Sequence, residues 1–341
     1  MMNFRNYILS YRKKNNELLN LNEIENKRIN LKSTPRWVII DPTNICNCRC
    51  IICFRNYLET FKPHELSEKN ISKLSSFLGK ATEVSLMGTG ESFLNKNFSS
   101  LAKMCKKQGL YTNLSTNGTL LDKNLDVLQY IDALSISFDA GTKDLFERIR
   151  RGADFEKVMS NIRLVNTLSK KPFIKFQVTV SKENLNDLPN IIQRANELGI
   201  HEVSYAPVYP MGKGYMEHII LVEADSTALR AIENKILQLA DKYGIKAVFN
   251  IFLDSNLKES ELVVPFKDIH CSAPWRMIYI ECTGKVRPCC NLEKHMGDLN
   301  KDNIKKIWNG KYYQELRASL SGQSQINPFC AKCKDVIRTL K

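Results

Sequence analysis

The chemistry in this sequence is carried by cysteines, of which there are eleven in 341 residues. One group reads Cys46-Asn47-Cys48-Arg49-Cys50-Ile51-Ile52-Cys53, and Cys46, Cys50 and Cys53 give the spacing C-x3-C-x2-C. Three thiolates on one short loop can each hold one iron of a cubane cluster, which leaves the fourth iron open to a small chelating molecule. A structural zinc site takes four ligands. Cys48 keeps that alternative open, since Cys46, Cys48, Cys50 and Cys53 can form a distorted four-thiolate site. The second group is Cys271, Cys289 and the C-x2-C pair Cys330 and Cys333. Four thiolates drawn from a loop, a hairpin and a knuckle suit tetrahedral zinc or a 4Fe–4S cluster. Cys290, next to Cys289, is an alternative ligand. Cys105 shares a helix face with Phe98, Leu101 and Ala102 and reads as core. Cys282 lies beside a turn. The five histidines have no paired ligand spacing.

Composition narrows the setting. No run approaches the length of a membrane span, and the N-terminus has no apolar stretch with a cleavage site behind it. A cytoplasmic location is therefore expected, where a set of disulfides is not. The formal net charge is +14. A basic surface can attract nucleic acid, an acidic peptide or an acidic electron-transfer protein. The lysines are scattered, with no basic block interleaved with aromatic residues, so nucleic acid is not the expected partner.

The elements that must position these thiols alternate regularly. Strands are expected at 36–40, 83–88, 111–116, 133–139, 173–180 and 202–208. Helices are expected near 66–78, 96–108, 121–130, 142–150, 154–169, 184–198 and 225–243. Apolar strands alternating with amphipathic helices imply an α/β fold with parallel strands buried on both faces. The expected architecture is a partial (β/α)6 TIM-like barrel with function on the loops after the strands. Residues 1–34 read as a helical lead-in and linker, 35–255 as the barrel, and 256–341 as a small cysteine-rich domain. That last segment contains a hairpin over 277–290 turning at Thr283-Gly284 and short helices at 302–310 and 311–320.

The early cysteine loop resembles the radical S-adenosylmethionine (radical SAM) superfamily, whose signature is three cysteines at this spacing. The resemblance implies that Cys46, Cys50 and Cys53 ligate a 4Fe–4S cluster whose open iron is chelated by S-adenosylmethionine, with Cys48 a non-ligand. One electron would cleave the sulfonium to a 5′-deoxyadenosyl radical, which takes a hydrogen atom from the substrate. Ile52 stands where many members have an aromatic residue. Gly88-Thr89-Gly90-Glu91-Ser92 is similar to the family's Gly-Gly-Glu-Pro motif, with serine in place of proline. It implies cofactor contacts at Gly88, Gly90 and Glu91. Ser115-Thr116-Asn117-Gly118 and Ser137-Phe138-Asp139 fall where the family contacts the methionine and ribose moieties, implicating Ser115, Asn117, Ser137 and Asp139. Each of these segments can equally be an ordinary turn or cap.

The C-terminal pattern, C-x12-G-x4-C followed by C-x2-C, resembles the SPASM or shorter "twitch" auxiliary-cluster domain of these enzymes. Pro274-Trp275, Arg287-Pro288-Cys289-Cys290 and Ile307-Trp308-Asn309 fit it. Eight residues follow Cys333 and none is cysteine. The resemblance therefore implies one auxiliary 4Fe–4S cluster on Cys271, Cys289, Cys330 and Cys333, with zinc as the alternative. A cluster with no open iron suits electron transfer and a net oxidation, either dehydrogenation or cross-linking, of a small molecule or peptide. Reduced flavodoxin or ferredoxin is the implied electron donor. Only about 35 residues precede the first strand, too few for a winged-helix leader-binding domain. Tyr209, Lys213 and Glu217 are candidate substrate contacts, and no catalytic base is assigned. The alternatives are a radical enzyme acting on RNA and a non-catalytic zinc or iron protein.

Overall fold

The strand and helix propensities are realised largely as the periodicity predicts. The structure is a computed structural model, and it describes residues 4–58, 60–208, 226–249, 271–331 and 333. In chain order the elements are α1 (Phe4–Glu25), β1 (Trp37–Ile40), α2 (Glu68–Leu78), β2 (Glu83–Leu86), α3 (Phe98–Lys107), β3 (Tyr111–Thr116) and β4 (Ala133–Ser137). There follow α4 (Lys143–Ile149), α5 (Phe155–Asn166), β5 (Phe173–Val180), α6 (Leu188–Glu197), β6 (Glu202–Pro207), α7 (Ser226–Tyr243) and β7 (Lys246–Phe249). The last are α8 (Ala273–Arg276), β8 (Met277–Ile280), β9 (Lys285–Arg287), β10 (Gly297–Asp298), α9 (Ile304–Trp308), α10 (Lys311–Leu320) and α11 (Pro328–Ala331). The loop bearing Tyr209, Lys213 and Glu217 lies outside the described residues. No helix among the described residues is long and apolar enough to cross a membrane.

The chain divides into two compact units. The first contains the described parts of Met1–Asn44, His64–Asn113 and Leu257–Lys341, and the second those of Ile45–Pro63 and Leu114–Asn256. This division cuts through the 35–255 segment. In the first unit β1 runs parallel to β2, with Val38 opposite Val84. On its other edge β1 runs parallel to β8, with Val38 opposite Ile278. The β8–β9 hairpin turns at Gly284, whose φ of +85° is a left-handed conformation that glycine adopts without steric cost. The hairpin expected from the sequence is thus present, but its first strand joins the parallel sheet beside β1. Residues 28–34, expected to be a linker, are a strap. Trp275 Nε1 donates to Arg28 O (2.6 Å) and Trp308 Nε1 to Ser33 O (3.0 Å). Arg317, fully buried, donates to the carbonyls of Ile29, Pro274 and Trp308 at 2.9–3.0 Å.

In the second unit β4, β5, β6 and β7 are parallel neighbours. Strand β5 alternates strictly. Ile174, Phe176, Val178 and Val180 are buried, while Lys175, Gln177 and Thr179 are half-buried. The expectation of two buried faces therefore gives way to one apolar face and one polar face. The apolar face meets an aromatic core in which Phe138 stacks on Phe176 at 4.3 Å and packs against Phe146 and Phe155. Strand β7 was not anticipated. The helix expected near 121–130 is two 3-10 turns, Leu121–Lys123 and Val127–Tyr130. Asn124 Nδ2 bonds the Leu120 carbonyl and Gln129 Nε2 the Asp126 carbonyl, competing with a regular helix. The parallel-sheet α/β class itself is as expected.

Candidate metal centres

The early cysteine loop belongs to the second unit and is braced by its own side chains. Arg55 Nη2 donates to Cys48 O (2.6 Å), Asn56 Nδ2 to Cys50 O (2.7 Å) and Tyr57 Oη to Ile51 O (3.0 Å). Cys46, Cys50 and Cys53 are half-buried, and Cys48 is buried. The Cys48 thiol donates towards both Cys46 and Cys50, which is the largest cause of a lowered pKa at each. Burial opposes that effect, and Cys46 settles at about 6. Arg55 and Asn117 further favour the Cys46 thiolate, and Arg150 favours that of Cys50. Cys53 is pushed up by burial, and Cys48 is raised strongly because it is the donor. Thiolates are the form that ligates metal. Cys46 and Cys50 are thus the acceptors of this thiol cluster, and Cys48 is its donor.

Asn117 serves this loop. Its Nδ2 reaches Asn47 Oδ1 at 2.9 Å, Cys48 Sγ at 3.4 Å and Cys46 Sγ at 3.9 Å, and its Oδ1 accepts from the Thr119 amide and hydroxyl. Ser115 and Ser137 are half-buried strand residues of the same unit. Asp139 is completely buried. One oxygen accepts from the Thr179 amide at 2.7 Å and the other pairs with Arg150 at 2.6 Å. Its carboxylate is therefore committed to protein partners, a role the sequence did not signal.

Gly88, Gly90 and Glu91 belong to the first unit. Glu91 is 2% exposed and precedes the 3-10 turn Ser92–Leu94. A Cβ at Gly88 would lie 2.0–2.5 Å from side-chain atoms of Asp41, so glycine is required by a neighbouring carboxylate. Asp41, at the C-terminal end of β1, accepts from Thr89 Oγ1 at 3.2 Å. Burial raises its pKa to about 7. Glu281 adds to the rise, and hydrogen bonds from Thr89 and Thr43 oppose it.

The second cysteine group also lies in the first unit, where Cys271, Cys289, Cys330 and Cys333 are electrostatic neighbours. Burial is the largest cause of the raised pKa at Cys271 (about 11) and Cys330 (about 12). The surrounding thiols of the set add to it at both. Cys289 is raised by burial and by Cys333. Cys333 N donates to Cys330 O at 3.2 Å, closing the knuckle. Cys290 is exposed. Cys282 is buried beside Asp41 and Glu281 instead. Cys289 packs against Ile39, Met277 and Tyr279, and Arg287 lies 4.3 Å over the Tyr279 ring. Among the described residues no three His, Cys, Asp or Glu side chains form a ready-made ion cage, so the thiols are neighbours rather than a fixed polyhedron. Buried thiols that raise one another's pKa fit a positively charged metal centre, which would deprotonate them.

The pattern that defines the radical SAM superfamily matches residues 40–195, and that of an iron–sulfur cluster-binding domain, SPASM, matches 271–334. The chain belongs to the radical SAM superfamily and carries a SPASM-type domain. Its cofactors are S-adenosylmethionine and two 4Fe–4S clusters. A relative from Methanocaldococcus jannaschii named probable GTP 3′,8-cyclase is 24% identical, over 77% of this chain and 88% of its own. An AdoMet-dependent heme synthase of Methanosarcina barkeri is 25% identical, over 90% of this chain and 93% of its own. In fold the chain is similar to Streptococcus suis SuiB bound to S-adenosylmethionine. There the TM-score is 0.68 at 17% identity, covering 93% of this chain and 74% of SuiB. It is also similar to anSMEcpe with bound AdoMet, with a TM-score of 0.63 at 17% identity, covering 88% of this chain and 83% of that one.

Proposed function

We propose that this enzyme removes a hydrogen atom from an unactivated C–H bond of a peptide or small polar molecule and completes a net two-electron oxidation. The observation that carries this reading is that the SPASM-matching stretch 271–334, in the first unit, carries Cys271, Cys289, Cys330 and Cys333. Four thiolates fill a cubane cluster and leave no iron for substrate, so an electron-accepting role follows. When bound, the cofactors supply a 5′-deoxyadenosyl radical at the first centre and an electron sink at the second.

The chain's own residues do the rest. Cys46, Cys50 and Cys53 hold the first cluster, and Cys48 and Asn117 orient their sulfurs. Gly88, Gly90, Glu91, Ser115 and Ser137 are the proposed contacts to S-adenosylmethionine, and Asp139 acts through Arg150. The half-buried polar face of β4–β6, with Ser135, Ser137, Lys175, Gln177 and Thr179, suits a substrate rich in hydrogen-bonding groups. Among proteins of similar fold, SuiB has been crystallised with the precursor peptide SuiA and anSMEcpe with the Kp18Cys peptide, which favours the peptide arm. Reduced flavodoxin or ferredoxin is the proposed donor, consistent with the net charge of +14.

The test is anaerobic reconstitution followed by dithionite reduction with S-adenosylmethionine. The expected result is about eight irons per chain, with 5′-deoxyadenosine formation abolished by Cys46→Ala, Cys50→Ala or Cys53→Ala. Undiminished 5′-deoxyadenosine from any of these variants would refute the first centre. About four irons, unchanged by Cys289→Ala, would refute the second. GTP consumption by the reconstituted enzyme would favour the cyclase activity named for its relatives.

A further inference from the structure

Among the described residues of the second unit the guanidinium of Arg150 is a buried cation, and the chain holds it there by three independent devices. The first is the backbone. Arg49 N donates to Arg151 O at 2.7 Å and Ile51 N to Ile149 O at 2.8 Å. Cys50 and Arg150 each lie between those two hydrogen bonds, so the end of α4 is registered against the cysteine loop with these residues abreast. The second is the ion pair. Arg150 is 7% exposed and Asp139 is 0% exposed, and their side chains meet at 2.6 Å. The Thr179 amide and the Asn184 side chain, bonded to the Asp139 carboxylate and carbonyl, fix Asp139 in turn. The third is close approach. Gly152 has φ +93°, and a Cβ there would lie 3.0 Å from Asn47 O. Only glycine permits both this backbone conformation and this proximity. The product of all three is one contact, Arg150 Nη1 to Cys50 Sγ at 4.0 Å.

We propose that Arg150, positioned by Asp139, is a fixed cation on the Cys50 sulfur that makes the first cluster easier to reduce. This rests on the reading of Cys50 as a cluster ligand. Reduction adds one negative charge to the cluster and its thiolates. A buried cation already in place favours the reduced state without having to reorganise, and hydrogen bonds and charge at ligand sulfurs are recognised determinants of cluster potential. Asp139 holds the guanidinium through Nη2, which leaves Nη1 as the atom facing the Cys50 sulfur. Arg150 is therefore a positioning residue for electron entry, and it affects a property measurable without turnover.

The experiment is a potentiometric titration of the reconstituted holoenzyme without S-adenosylmethionine, followed by electron paramagnetic resonance. The first cluster's signal is identified by its change when the nucleoside is then added. At the wild-type midpoint, Arg150→Met is expected to lower the reduced-to-oxidised ratio about tenfold, which for a one-electron couple is 59 mV. Arg150→Gln should do the same. Arg148→Met, which removes a charge from the same helix where it is 60% exposed and faces Glu183, should leave the ratio within about twofold of wild type, as screened surface charges do. An unchanged ratio in Arg150→Met or Arg150→Gln with its iron retained would overturn the proposal. Loss of the first cluster from both would also overturn it, by making Arg150 a structural prop. Retention of the nucleoside-sensitive signal in Cys50→Ser would instead refute the ligand reading beneath it.

Discussion

Replacing Asp41 by asparagine should stabilise the protein, and do so more as the pH rises. Asp41 is 2% exposed, and its pKa is lifted from 3.8 to about 7, chiefly by burial. A carboxyl group that holds its proton more tightly when folded than when unfolded favours the folded state at low pH. That advantage is complete below 3.8, is lost progressively as the pH climbs to about 7, and stays lost above it. The difference between those two values corresponds to about 4 kcal/mol, from 1.36 kcal/mol for each pH unit between them. Asparagine carries no charge and can still accept from Thr89 Oγ1, so it escapes this cost. For a chain of this length, about 4 kcal/mol is roughly 5 °C in midpoint. The assay is anaerobic differential scanning fluorimetry of the reconstituted enzyme and the variant between pH 5 and pH 8.5. The variant's advantage should already be about 1.6 kcal/mol at pH 5, which lies above 3.8, grow through pH 6 and 7, and level off by pH 8. A difference that does not vary with pH, or that shrinks as the pH rises, would refute the argument that burial leaves this carboxylate undercompensated.

Three further substitutions probe the packing around the two centres. Gly88→Ala should lower the thermal midpoint by several degrees, because the new methyl group overlaps the Asp41 side chain. Adding Asp41→Gly, which removes the Cγ, Oδ1 and Cβ that the methyl group would meet at 2.0–2.5 Å, should restore part of the loss, and additive losses in the double variant would count against this contact. Arg317→Met should destabilise the first unit by about 3–5 kcal/mol, because the carbonyls of Ile29, Pro274 and Trp308 lose their common donor. Chemical denaturation would measure it, and a cost under about 1 kcal/mol would refute the hub. Gly152→Ala should deplete the first cluster while sparing the second. The readout is about half the iron per chain together with loss of the nucleoside-sensitive resonance signal, and full iron would refute it.

The candidate ligand sets were legible because metal chemistry fixes residue type and spacing locally. Cys46, Cys50 and Cys53 can be read from a stretch of eight residues, and the knuckle Cys330–Cys333 from four. The strand–helix alternation was legible for the same local reason, through period. The missed features depend on distant partners. Strand β8 pairs with β1 across 240 residues, yet in the sequence it reads only as one arm of a hairpin. Arg150 looks like one more basic residue at a helix end, and only the tertiary pairing with Asp139 and Cys50 distinguishes it. Asp41 is a single acid after a strand, and its perturbed proton affinity comes chiefly from burial, with a smaller push from Glu281, 240 residues along the chain. Gly88 reads in the sequence as a place where the backbone can approach a ligand, and only the structure shows that Asp41 also lies where its side chain would be.

The pairing of β8 with β1 also shows how the segment that carries the second cysteine group joins the sheet of the first unit. Ile278 and Ile280 extend the buried sheet beside Val38 and Ile40. On the opposite face Met277 and Tyr279 pack with Ile39, and Cys289 rests against that cluster. The strap at 28–34, closed by Trp275, Trp308 and Arg317, ties the helices after the hairpin to the N-terminal segment. Cys289 is thereby mounted on a strand pair that shares its hydrogen bonds with β1, the strand that leads the chain towards Cys46. Rigid placement of a ligand on regular elements is what a redox centre needs if its potential is to be set by the protein rather than by solvent. Loss of β8–β1 pairing should therefore disturb the auxiliary cluster before it disturbs the β4–β7 sheet, since that sheet draws its core from Phe138, Phe146, Phe155 and Phe176.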